Sequence, residues 1–287
     1  MILSPSTPSF WPSIVAVAAY LLAALIPPSL IHDESVSKYR ADRGIWIGLV
    51  VGWLGQLASI LVDALSIGQS NDGARFGFAP ALSVTIWLVL GVYAVESRKL
   101  RLPHIRRSLA LFAAFTVGLA WYFPGQPHLL EGAHWAPLHW LTGFASYGLF
   151  GAALLHAAIL NQAERQMRNK SATADALTLS GPVQAFGMPL LQLESLTFRF
   201  VGAGFVMLSL TLVLGAVFTP NWRWDHKTVF SILSWLVFAT LLIGRARFGW
   251  RGRTATRWLI AGSVLLLLAY VGSRFVLEVL LHRNPTA

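Results

Sequence analysis

Long apolar runs alternate with short polar breaks along the whole chain. A helix needs about 20 apolar residues to cross a bilayer. Eight runs approach that length: Phe10–Leu30, Gly44–Ile67, Phe78–Ser97, Ser108–Phe123, Leu138–Gln162, Leu196–Phe218, Thr228–Gly244 and Thr256–Leu281, the fourth and seventh being short. The pattern predicts an all-α polytopic membrane bundle of about eight transmembrane helices. The longest break, 163–195, opens with Glu164, Arg165, Arg168 and Lys170 and continues as SGPVQAFGMPLLQLES. Punctuated by Gly and Pro, it reads as an interfacial connector rather than a domain. Residues 1–287 are therefore expected to form a single integral membrane domain. The N-terminus lacks the basic region of a secretory signal, so the first run is expected to be retained.

Composition agrees with this pattern: 55% of residues are hydrophobic and 12% charged, against about 25% charged in soluble domains. A net charge of +10 would by itself suit a nucleic-acid partner, but its distribution gives it another meaning. Seventeen of the 22 Lys and Arg residues fall on one set of loops and helix ends: Lys38, Arg40 and Arg43; Arg98, Lys99, Arg101, Arg106 and Arg107; Arg165, Arg168, Lys170 and Arg199; Arg245, Arg247, Arg251, Arg253 and Arg257. The opposite set holds Arg75, Arg223, Lys227, Arg274 and Arg283. Cytoplasmic loops carry the excess of Lys and Arg. Both termini are thus expected on the non-cytoplasmic side of a bacterial inner membrane, and no nucleic-acid partner is needed to explain the charge. The absence of cysteine excludes disulfides, thiolate nucleophiles, thioether attachment of haem and zinc–cysteine sites.

Polar side chains inside spans are expensive in lipid and usually face the bundle interior or a cavity. Gln56, Ser59 and Asp63 lie in the second run, and the seven-residue spacing of Gln56 and Asp63 puts them on one helical face. His139 opens the fifth run and His156 lies near its far end. Arg274 and Glu278 are one turn apart in the eighth. Each has an ordinary reading: an i,i+4 ion pair for Arg274 and Glu278, a helix cap for Asp63, a hydrogen-bonded packing residue for His156. His32 and His104 lie in charged inner loops and read as solvated; His128 and His134 lie in the outer loop PGQPHLLEGAHWAP.

The densest polar cluster at a span edge is NWRWDHK, 221–227, which the charge count places on the outer face. Trp222 and Trp224 fit an aromatic belt at the membrane interface as well as they fit a floor for a planar ligand. A histidine at a helix end can offer a neutral imidazole to a metal, and nearby Arg and Lys can pair with carboxylates. Together these suit haem or another planar ligand. Zinc would need three or four clustered ligands. Hydrolase and nucleotide-binding motifs are absent from the sequence. Asp63, Arg274 and Glu278 leave a second possibility open, a small-molecule transporter.

Three segments resemble one family. WRWDHKTVFSILSW, 222–235, is similar to the tryptophan-rich segment of the CcsA/CcmC-like cytochrome c assembly proteins, with Trp222, Trp224, Asp225, Lys227 and Trp235 matching. HWLTGFASYGLFGAALLHAAIL, 139–160, resembles that family's histidine-led helix through His139, Ser146 and Tyr147. GWRGRTATRWLIAGSVLLLLAYVGSRFVLE, 249–278, resembles its short eight-span YpjD/HemX-like branch. The resemblance implies a non-enzymatic haem-handling role in cytochrome c assembly, alongside other assembly proteins and in contact with membrane lipid. It implies that His139 ligates iron, that Trp222 and Trp224 cover the macrocycle, and that Arg223, Lys227 and Arg274 pair with propionates. Asp225 would orient the loop. His226 and Thr228 depart from the family's pattern after the aspartate. The second iron-ligating histidine has no clean counterpart, His282 and His226 being the candidates. A haem-free assembly or regulatory subunit of the same fold is the other reading.

Overall fold

The computed structural model describes residues 8–25, 36–65, 74–96, 103–128, 135–171, 184–185, 188–218 and 224–280. Among them are eight helices: α1 (Phe10–Leu25), α2 (Val36–Ala64), α3 (Phe78–Glu96), α4 (Pro103–Tyr122), α5 (Ala136–Ser171), α6 (Leu190–Phe218), α7 (His226–Phe248) and α8 (Gly252–Leu280). Each coincides with one of the eight apolar runs. Six, α2, α3, α5, α6, α7 and α8, are long and apolar enough to cross a membrane. α1 is apolar but 16 residues long, and α4 carries arginines in its first turns. Outward faces bear exposed apolar side chains such as Leu22, Phe115, Leu141, Val213 and Ile243, as contact with lipid requires. Two short antiparallel pairs complete the described elements: β1 (Ala74–Phe76) with β2 (Gln126–His128), and β3 (Gln184–Ala185) with β4 (Met188–Pro189).

Several helices outrun their apolar segments. α5 continues past Gln162 to Ser171, and α6 starts at Leu190, so both ends of the expected connector are helical. α7 is longer than its apolar run at both ends. Backbone hydrogen bonding does not stop at the bilayer edge, and Gln, Glu, Lys and Arg are good helix formers.

Contacts divide the chain into two compact units, one of Met1–Gly91, Leu102–His134 and Arg274–Ala287, the other of Val92–Arg101 and Trp135–Ser273. In lipid there is no hydrophobic drive between helices, so small residues and interhelical hydrogen bonds must hold them. The first unit does this along α1 and α2. Gly48, Gly52 and Gly55 lie against Ala23, Tyr20 and Ala16. The polar stripe of α2 pairs outward along the same helices. The Tyr20 hydroxyl donates to Gln56 Oε1 at 2.7 Å, the Gln56 amide donates to the Ser83 carbonyl and Oγ at 3.0 Å each, and the Ser13 and Ser59 hydroxyls meet at 2.8 Å. α2 and α3 are joined by Trp53 and Trp87, whose rings stack at 4.7 Å. Each indole N–H donates to the other tryptophan's backbone carbonyl, at 3.0 and 3.1 Å.

Gly52 is the tightest of these approaches: a Cβ there would stand 2.6 Å from the Tyr20 ring. Gly52→Ala is expected to destabilise this unit by about 1–3 kcal/mol through overpacking, read as a lower melting temperature in detergent. An unchanged melt would show that Tyr20 has room to move.

The second unit packs α5, α6, α7 and α8 around Phe150 and Phe238, whose rings stack at 3.7 Å, with Val201, Leu208, Leu241, Leu259 and Leu266 about them. Gly204 and Gly262 face the two rings, and the Ser234 hydroxyl donates to the Gly262 carbonyl at 2.9 Å. α7 ends on Gly249, left-handed at φ 64°, which lets Trp250 fold back across Gly244 and stack on Trp258. In α8 the regular helix Gly252–Leu267 gives way to π-helical Leu268–Gly272, one α turn Ser273–Phe275 and π-helical Val276–Leu280. Where the ladder shifts, the Leu266 carbonyl accepts the Tyr147 hydroxyl.

Candidate functional site

His139 sits in the first turn of α5, its backbone N–H donating to the Trp135 carbonyl at 3.1 Å. The side chain is half-buried. The ring lies in hydrogen-bonding reach of the Thr211 backbone, while its buried Nδ1 has no hydrogen-bond partner of good geometry among the described residues. Across from it stands Gly215 of α6: a Cβ there would be 3.3 Å from the imidazole Cε1. The missing side chain makes the space the ring occupies. Just below, the Thr142 and Thr211 hydroxyls meet at 3.0 Å, and Thr142 bonds the Leu138 and His139 carbonyls. These contacts fix α5 against α6 one turn from the histidine.

Above the histidine the same helix pair ends in flat aromatic surface. Trp135, one turn before His139, stacks on Phe218, about one turn after Gly215, at 5.1 Å and 15°. Both rings are about half-exposed. Trp224, at the start of the neighbouring α7, is 73% exposed. Asp225 occupies the N-cap of α7 but makes no side-chain capping bond. His226 is exposed and Lys227 half-buried. Trp222, Arg223 and His282 lie outside the described residues. Among the described residues no three His, Asp or Glu side chains gather into a metal cage.

The other intramembrane polar groups are held elsewhere. In the first unit Arg274 and Glu278 form an i,i+4 pair at 3.9 Å, both nearly buried. The Glu278 carboxylate lies against Gly77 and the backbone of Phe78. Asp63 meets the Ser9 hydroxyl and faces Arg75, continuing the α1–α2 ladder, while its Oδ1 is buried without a hydrogen-bond partner among the described residues. His156 is fully buried, its Nδ1 2.7 Å from the Ala152 carbonyl and its ring on Phe200, the packing role expected of it. Ser146 bonds the Gly143 carbonyl at 2.7 Å.

The sequence reading named His139, Trp224, Asp225 and Lys227 at this end of the unit; the fold adds Gly215, Trp135 and Phe218 beside His139. A signal was present. Trp135 is four residues before His139 and Phe218 three after Gly215, and both lie at span ends, the spacing that puts side chains on one helical face.

An unpartnered imidazole nitrogen, a glycine that leaves it space and exposed flat rings beside it fit a planar, metal-bearing ligand. The family model described as "Cytochrome C assembly protein" matches residues 76–281. The chain belongs to that family. The match takes in His139, Gly215 and the α6–α7 junction. The chain is 31% identical over 275 residues to "Inner membrane protein YpjD" of Escherichia coli (strain K12), covering 93% of this chain and 98% of that one. It is 29% identical to "Uncharacterized 28.8 kDa protein in nifR3-like 5'region" of Azospirillum brasilense, over 91% and 96% of the two chains. It is 28% identical to "Cytochrome c biogenesis protein CcsA" of Prochlorococcus marinus (strain MIT 9313), over 78% and 80%. No solved structure matches it. Family membership and the apolar helices place the chain among multi-pass membrane proteins of cytochrome c biogenesis.

Proposed function

We propose that this cytochrome c assembly family protein binds haem non-covalently at the α5–α6–α7 end of its second unit and presents it to other assembly proteins. It makes and breaks no bonds itself. The observation that carries the reading is the buried, unpartnered Nδ1 of His139 opposite Gly215, beneath the Trp135–Phe218 stack. Buried polar atoms are nearly always satisfied, so an orphan at a helix end calls for a ligand.

Haem, when bound, supplies an iron to be coordinated and an apolar plane to be covered. His139 is the ligand. Trp222 and Trp224 cover the macrocycle, with Trp135 and Phe218 extending the aromatic surface. Arg223 and Lys227 pair with the propionates, and Asp225 orients the loop at the head of α7. His226, at the head of α7 in the same unit, would complete the coordination. The asymmetry of Lys and Arg puts this end on the non-cytoplasmic face, and the inner membrane is the location that both this asymmetry and the YpjD relative's name support.

The test is an absorption spectrum of protein purified from haem-replete cells. A Soret band is expected in wild type and its loss in His139→Ala, with the thermal melt of the apoprotein kept. Wild-type protein without any Soret band would refute haem binding and favour the haem-free subunit.

A further inference from the structure

An imidazole has two nitrogens, and the hydrogen bond made by one decides which the other offers to a metal. At His139 the ring edge turned towards α6 is Cε1 and Nδ1. These atoms lie 3.3 and 3.8 Å from the Cβ position of Gly215, and Nε2 lies farther out. The residue is half-buried, and its exposed part is not at Nδ1. A macrocycle is a wide plate and cannot be brought to an atom enclosed between two packed helices. Nε2 is the nitrogen left for it.

Nδ1 then needs a partner of another kind, and the Thr211 backbone is in reach of the ring. In a helix the carbonyl of residue 211 accepts from the amide four residues on, which is that of Gly215. A carbonyl has two lone pairs, so it can take a second donor where nothing covers it. Side chains lean towards the helix N-terminus, so a Cβ at position 215 would stand over the Thr211 turn. Glycine leaves that carbonyl open. Two hydroxyls hold ring and carbonyl at one height. Thr211 Oγ1 meets Thr142 Oγ1 at 3.0 Å, and Thr142 Oγ1 lies 3.0 Å from the His139 carbonyl. On its own helix Thr211 Oγ1 lies 2.8 Å from the Met207 carbonyl.

We propose that Nε2 of His139 is the nitrogen that meets the iron, and that the Thr211 carbonyl, laid open by Gly215, takes the Nδ1–H. Thr142, Thr211 and Gly215 are then positioning residues for His139. In the ligand-free chain the carbonyl is in reach but not in line, and ligation at Nε2 completes the contact. The orphan nitrogen is satisfied by a ligand that it does not touch. A hydrogen bond at one ring nitrogen raises the basicity of the other towards a metal. The iron half of this proposal rests on the haem reading above; the tautomer half does not.

Haem-free, full-length protein carrying isotope-labelled histidine is read by nitrogen NMR at about pH 8, above the ordinary histidine range. His139→Gln assigns the signal. The Nδ1–H tautomer is expected to exceed Nε2–H by about five- to tenfold, the worth of one hydrogen bond. Gly215→Ala, whose Cβ covers the carbonyl, is expected to lose that excess, and Gly202→Ala on the same helix to keep it. In haem-loaded protein Gly215→Ala keeps at least half of the Soret band, and its reduction potential rises as the ligand loses basicity. An Nε2–H ring in wild type, or an unchanged tautomer ratio in Gly215→Ala, would overturn the proposal while a Soret band in wild type still upheld haem binding. The Nδ1–H ring in a wild type without any Soret band would overturn the iron half and leave the Thr211 contact standing.

Discussion

Gly262→Leu is expected to leave little folded protein. A Cβ at Gly262 would stand 2.7 Å from the Phe238 ring, and Phe238 cannot retreat because its other face is stacked on Phe150 at 3.7 Å. Both phenylalanines are almost fully buried. The remaining leucine carbons would wedge α8 from α7 and pull the Gly262 carbonyl from the Ser234 hydroxyl. Overpacking of a well-filled core costs about 1–3 kcal/mol, and a clash with a stacked ring belongs at or beyond the upper end. The measurement is the yield of monodisperse protein in detergent and its melting temperature. Gly202→Leu is the control. It lies in the same unit with nothing within 4 Å of its would-be Cβ, and is expected to fold with an unchanged melt. Equal behaviour of the two variants would mean the Phe150–Phe238 stack yields easily.

Gly215→Val carries the second large effect, on ligand rather than fold. Its Cβ alone would approach the His139 ring to 3.3 Å, and the two methyl groups take the space the imidazole now fills. The ring must turn away, so haem absorbance is expected to fall as far as in His139→Ala. The α5–α6 contact through Thr142 and Thr211 lies a turn deeper, so the apoprotein should melt within about 1 kcal/mol of wild type. A Soret band kept at wild-type intensity in Gly215→Val would separate His139 from haem, whatever the histidine's own substitution does. The two readouts differ: Gly262→Leu loses protein, Gly215→Val loses colour.

The eight helices were legible because lipid imposes a simple rule on length and polarity. The helix ends were not, since α5 and α6 carry helical hydrogen bonding into polar sequence that hydropathy reads as connector. His139 was legible as a histidine at a span edge. Gly215 was not, because a glycine in an apolar span has no chemical mark until its neighbour across the interface is known. The spacing of Gln56 and Asp63 put them on one face, but only the fold reveals Tyr20 and Ser9 as their partners, and Ser13 as that of Ser59. In α8 a helical wheel fails past Leu267. Each π turn takes up extra residues and rotates everything after it, so the spacing of Arg274 and Glu278 gives their i,i+4 pairing, as observed, but not which way the pair faces.

The Trp53–Trp87 pair has a mechanical consequence. Two crossed N–H bonds, one in each direction, bind α2 and α3 at the same height. Sliding either helix by one residue, about 1.5 Å, would pull both bonds away from their preferred length and angle. The two helices are therefore pinned in register at this height, a joint that resists sliding more than tilting.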